Sequence, residues 1–225
     1  MQKSKKLILI AFIIILSLFI LVACNPSTNT DNEQKSNISY IQHEFYHGKS
    51  ANFEVKICSG KSEVLFIADG VTNDCKDFST ITVIPSSVDL YNHEYTFTIT
   101  GENGETSGSL VKDSFGAYYQ ADIDSSAVGK ITSVKLSYGK NNEELEVTNM
   151  LEGKVDGMKA LEVVKEALKE RLEADNKDRE IYIRMINNSN KPESEYYWYV
   201  AFIANPTDYF SALVSPDDGT IVSIT

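Results

Sequence analysis

The segment His43-Glu44-Phe45-Tyr46-His47 has the H-E-x-x-H spacing that can hold a catalytic zinc. On a helix, residues four apart share a face. Both imidazoles could then ligate one metal while Glu44 served as general base. The chemistry also needs a third protein ligand. His93 is the only other histidine, and no spacing nominates a downstream glutamate. The neighbours oppose a helix: Tyr40, Ile41, Phe45 and Tyr46 favour strand, and Gly48 follows at once. The expectation is therefore a first strand carrying surface histidines.

Other chemistry-bearing residues are sparse. Gly48-Lys49-Ser50 ends like a phosphate loop, but no glycine-rich run precedes it. Asp69, Asn73, Asp74 and Asp77 could ligate calcium, yet they fit no twelve-residue calcium loop and read as an ordinary polar turn region. Cys58 and Cys75 are an even remainder once Cys24 is set aside. They are a candidate disulfide, with Cys58 as a small core residue the alternative, and spacing does not decide between them. No catalytic set, resident metal or cofactor motif is nominated.

The elements that must position these residues divide the chain in two. From residue 40 to 150, strands are predicted at 53–58, 63–67, 80–84, 95–100, 107–111, 117–123, 131–138 and 144–147. Period-two runs such as Tyr95/Phe97/Ile99 imply one buried and one wet face, and Asn103-Gly104 suits a tight hairpin. This spacing implies an immunoglobulin-like β-sandwich. From 151 to 225, Met158, Leu161, Val164, Leu168 and Leu172 recur at helical spacing behind Asp156 as N-cap. Strands follow at 180–186, 196–204, 209–214 and 220–224, with Ile181, Ile183 and Met185 on one face. The expected class is α+β overall: an all-β domain, then one helix on a small antiparallel sheet.

Residues 1–23 begin with Lys3, Lys5 and Lys6 and continue as an uncharged apolar run of about 17 residues, the pattern of a secretory signal peptide. Leu21-Val22-Ala23-Cys24 resembles the bacterial lipobox. That resemblance implies diacylglyceryl transfer to the Cys24 thiol and cleavage before it, with two acyl chains anchoring the protein outside the cell membrane. Residues 24–39 are polar enough to act as a flexible tether. The net charge is −11, and the leader holds three lysines and no acid, so the mature chain stands at −14. Such acidity argues against nucleic acid as a partner. The stretch from Tyr46 through Gly48, Ser50, Asn52 and Phe53 to Val55 resembles a segment near the start of domains in lipoproteins of Gram-positive bacteria.

The helix 158–172, the strand Tyr196-Tyr197-Trp198-Tyr199-Val200 and the closing run from Phe210 to Val222 together resemble the PepSY family. The resemblance implies a binding or inhibitory role near proteases or in the envelope, and no catalytic residues. In the aromatic strand, Trp198, Val200 and Phe202 share one face, leaving Tyr197 and Tyr199 opposite as a candidate binding patch or as packing against the first domain. The expected function is a lipid-anchored, non-enzymatic binding module of the bacterial surface, its partner an envelope protein or small ligand. The alternatives are a zinc metallopeptidase using His43, Glu44 and His47, and a PepSY-type restraint on a neighbouring protease.

Overall fold

Alternating side chains and turn-forming punctuation set a run of antiparallel strands. A computed structural model describes residues 37–187 and 195–225, apart from residues 115, 125 and 127. The expected leader, Cys24 and the expected tether up to residue 36 lie outside the described residues. The first strands are β1 (Ile38–Lys49), β2 (Phe53–Glu63), β3 (Cys75–Pro85), β4 (Tyr95–Gly101), β5 (Gly104–Lys112), β6 (Tyr119–Asp122), β7 (Ile131–Tyr138), β8 (Asn141–Glu146) and β9 (Thr148–Asn149). Strand β1 thus takes in Ile38 and Ser39, which the sequence assigned to the tether. The strand expected at 63–67 does not form. β2 runs on to Glu63, and Val64–Ile67 open a loop whose neck is tied by Val64 N–H donating to Asp74 O at 3.0 Å. The β2–β3 ladder ends at the Glu63–Cys75 pair, so the run 64–67 has no partner strand among the described residues.

Pairing runs β1-β2-β3-β6-β5-β4-β7-β8, and β9 returns to β1, so these strands wrap around one core. Phe53, Val55, Ile57, Ile81, Val83, Tyr95, Ile99, Val134 and Leu136 fill that core.

The remaining elements are α1 (Gly157–Ala167), α2 (Lys169–Ala174), β10 (Glu180–Asn187), β11 (Tyr196–Asn205), β12 (Asp208–Val214) and β13 (Ile221–Ile224). The Asp156 carboxylate accepts from Lys159 N–H at 2.7 Å, capping α1 as its position implied. The single helix expected at 158–172 is broken at Leu168, whose φ of −104° and ψ of 14° leave the helical region. Helix α1 lies on one face of β10, β11 and β12, where Ala160, Leu161 and Val164 meet Ile181, Ile183, Trp198, Val200 and Phe202 in a second core.

The two cores meet on β1. It pairs antiparallel with β2 and parallel with β10, giving one mixed sheet path ending at β13. Neighbouring side chains on a strand point to opposite sides, and Phe45 enters the second core while Tyr46 enters the first. The boundary expected at 150–151 falls in the turn after β9, where Met150 N–H donates to Phe45 O at 2.8 Å.

Candidate functional site

His43, Glu44 and His47 all lie on strand β1. His43 is the extra residue of a bulge: Gln42 pairs with Gly60 and Glu44 with Ser59. Four residues of strand span roughly 13 Å, against a single turn in a helix, so β1 does not bring the two imidazoles together. Each residue is instead engaged or exposed by itself. Glu44 accepts from the Ser59 hydroxyl at 2.6 Å, His43 is exposed, and His47 Nε2 meets Glu54 Oε1 at 3.2 Å. Among the described residues, no three His, Cys, Asp or Glu side chains gather as a metal-ligand set.

The His47 and Lys56 hydrogen bonds, outweighing burial, hold the Glu54 carboxyl down at about 2. A depressed carboxyl stabilises the fold above its unfolded value of 4.5. That contribution is lost as pH falls through about 2. Acid unfolding followed between these limits should show Glu54→Gln losing this dependence, with a stability cost near neutrality of roughly 2 kcal/mol after allowance for partial exposure. An unchanged acid limb would refute the assignment.

The cysteines do not pair with each other. Cys58 sits opposite Thr80 and Cys75 opposite Glu63 on the β2–β3 ladder. Five residues along a strand put them roughly 17 Å apart, beyond the ~7 Å limit for a disulfide. Both are thiols. Burial pushes Cys58 up to about 11, so it stays protonated near neutral pH and is a poor nucleophile.

The strongest surface feature is the face of β10–β12 opposite α1. Tyr197 and Tyr199 lie on it, half-buried, as the alternation implied, while Trp198, Val200 and Phe202 are buried on the helix side. Tyr199 stands opposite Arg184 and Leu213, and the Tyr197 hydroxyl donates to Glu195 at 2.8 Å. The structure extends this face across β1. Tyr40 stacks on Tyr182 with ring centroids 4.5 Å apart and on Phe78 at 5.2 Å, and the Arg184 guanidinium lies over Tyr182 at 5.6 Å. Burial raises the Tyr40 hydroxyl well above its ordinary value and raises that of Tyr182 as well.

Loop 64–74 borders the strip. Phe66 reaches Tyr182 at 5.4 Å, while Val64, Leu65, Ile67 and Val71 each leave half or more of their surface exposed. Five exposed apolar side chains in one loop are unusual for a surface turn. The loop is held down by Gly70 N–H donating to Glu180 Oε1 at 3.4 Å, and by Asn73 N–H donating to Glu63 Oε1 at 2.5 Å. Gly70 has φ +84°, and a Cβ there would meet Asp178 O at 2.7 Å, so only glycine fits. Asp69 Oδ1 accepts from Val71 N–H at 3.0 Å and shapes the turn, in keeping with a polar turn region.

Phe66, Phe78 and Tyr182 were not singled out in the sequence, and Tyr40 was read only as a strand former. Period two could have flagged Tyr182, because Ile181, Ile183 and Met185 occupy the other face. Nothing local connects it to Tyr40. Comparison of the chain with protein-family models, curated proteins and solved structures gives no match, so the site is read from its geometry.

Proposed function

We propose that the protein is a lipid-anchored lipoprotein of the bacterial cell envelope whose folded unit is a non-enzymatic binding module. The observation that carries the binding role is the aromatic strip Phe78–Tyr40–Tyr182 flanked by the exposed apolar loop 64–71. The strip is half-buried and the loop side chains are exposed, and a contiguous apolar and aromatic surface of this kind marks docking sites, where such residues supply most of the affinity. Anchoring rests on the leader and on Leu21-Val22-Ala23-Cys24. The partner is an envelope protein or small ligand that presents apolar surface.

Residues 151–225 are read as PepSY-like, a reading supported by helix α1 laid over β10–β12. It carries the second reading, restraint of a neighbouring protease. The wrapped strands β1–β9 are read as an immunoglobulin-like sandwich, supported by the packing of β4 and β7 against β2 and β3 across one core.

Two measurements test the proposal. Cys24→Ser should abolish lipid labelling and move the chain out of the membrane fraction, and a variant still processed and membrane-bound would remove the anchor. A photo-crosslinker at Phe66 should capture a partner on intact cells, whereas one at exposed Lys140 should not. Tyr182→Ala should reduce the Phe66 capture about tenfold or more, since aromatic hot spots are worth about 2 kcal/mol or more. Equal capture from both positions would overturn the assignment of this face.

A further inference from the structure

Beneath loop 64–74 lie buried side-chain oxygens with no hydrogen-bond partner among the described residues. Glu63 closes β2, Ser39 opens β1 and Glu180 opens β10, and these three strands are adjacent. Antiparallel pairing of β1 with β2 and parallel pairing with β10 put all three residues at the same end of the sheet. Glu63 is 4% exposed and Glu180 is fully buried. Each carboxylate uses Oε1 to accept a loop amide, Asn73 N–H for Glu63 and Gly70 N–H for Glu180. Each leaves Oε2 buried and without a hydrogen bond. Thr72, between those two amides in the chain, is 8% exposed, and its hydroxyl is likewise buried and unpartnered.

Buried carboxylates are normally paired with cations or bound to metal. The groups that act most on the buried Glu180 carboxylate are the Ser39 hydroxyl and the Gly70 amide, which hydrogen-bond it, and the Glu63 and Asp69 carboxylates, which repel its charge; no lysine or arginine is among them. Arg179, next in the chain, is committed elsewhere, to Asp175 and Asp208. The pocket therefore gathers carboxylates and unpartnered oxygens, and no lysine or arginine is among the described groups that act most on Glu180.

We propose that this pocket binds a hard divalent cation of the calcium class through the free oxygens of Glu63, Glu180 and the Thr72 hydroxyl. Two carboxylates fall short of the sets that hold zinc or other transition metals, and no nitrogen or sulfur donor is among them. A hydroxyl and loop backbone oxygens suit calcium, which takes six to eight oxygen ligands in flexible geometry. Magnesium dehydrates reluctantly and suits a dry site less well. Bound between two strand ends and the loop, the cation would fix loop 64–74 in place. The site stands on its own geometry, whether or not the loop is a docking surface.

Calcium titration of the chelator-treated chain, by calorimetry and by thermal unfolding followed with circular dichroism, tests this. One equivalent should bind with Kd on the order of 10⁻⁴–10⁻³ M, the range of extracellular calcium modules. About 5 mM calcium should raise the unfolding temperature by roughly 3–8 °C. Glu180→Gln should weaken binding tenfold or more, yet unfold in chelator no lower than the parent, because it removes an unbalanced buried charge. Thr72→Val should weaken binding by a smaller factor. An unfolding temperature identical in calcium and chelator would overturn the proposal, as would calcium binding unchanged by Glu180→Gln.

Discussion

Trp198→Ala is expected to remove about 3–5 kcal/mol of stability, the range for deleting a fully buried large aromatic. Trp198 is the only tryptophan and has no exposed surface. Its Nε1 donates to Val155 O at 2.7 Å, fixing the turn that leads into α1. Its ring lies so close to Gly157 that a Cβ there would meet it at 3.2 Å. The substitution therefore opens a cavity beneath the first turn of α1 and leaves the Val155 carbonyl unpaired. A domain of this size has only about 5–15 kcal/mol in total, so the variant should lie close to its unfolding midpoint. Urea unfolding must be followed by circular dichroism, because the mutation deletes the fluorescent reporter. Trp198→Phe, which keeps most of the apolar volume, should lose roughly 1–3 kcal/mol. A loss below about 1 kcal/mol for the alanine variant would mean that α1 is not held through this ring.

Gly60→Ala should be as damaging, for a different reason. A Cβ at Gly60 would fall 1.9 Å from Ile41 O and 2.9 Å from Gln42 Cα. Both are backbone atoms, so no side-chain rotation relieves the clash. The closeness comes from the bulge at His43, which presses β1 onto β2 just before the strand passes from one core to the other. Relief requires parting the two strands along the seam that joins both halves of the molecule. Overpacking costs about 1–3 kcal/mol where side chains can yield; here the cost should reach about 3 kcal/mol or more. Hydrogen exchange should show lost protection on both β1 and β2. Alanine at Gly139, where nothing lies within 4 Å, carries only the penalty of its φ of +57° and should cost about 1 kcal/mol. Equal effects at the two glycines would refute the close-approach account.

Strands with clear alternation were legible residue by residue. The 131–138 strand coincides with β7, and the Ile181/Ile183/Met185 face is the buried one. The Asp156 cap was legible for the same reason: a short side chain ahead of a helical apolar stripe has one local partner to satisfy. The strand side of H-E-x-x-H was legible from its aromatic and β-branched neighbours. What failed was also local in cause. The apolar run 64–67 reads as strand by composition, but its residues serve as an exposed loop surface. A periodic apolar stripe does not reveal a break such as the one at Leu168.

By itself, then, the sequence determined the strands, the capped helix, the hairpins and which residues of each alternate inward, because these depend on neighbours a few positions away. Only the tertiary structure decided the parallel seating of β1 beside β10, which brings Ser39 against Ile181 across 142 positions. That one register stacks Tyr40 on Tyr182, and it gathers Glu63 and Glu180 under a single loop. Glutamates in a sequence read as solvated charges, since burial is the exception for them. Their burial here follows from non-local pairing, whose register no short window of residues encodes. H-E-x-x-H illustrates the same separation. The letters are a property of the sequence, but whether His43 and His47 meet depends on the period of the backbone that carries them, and β1 sets them apart.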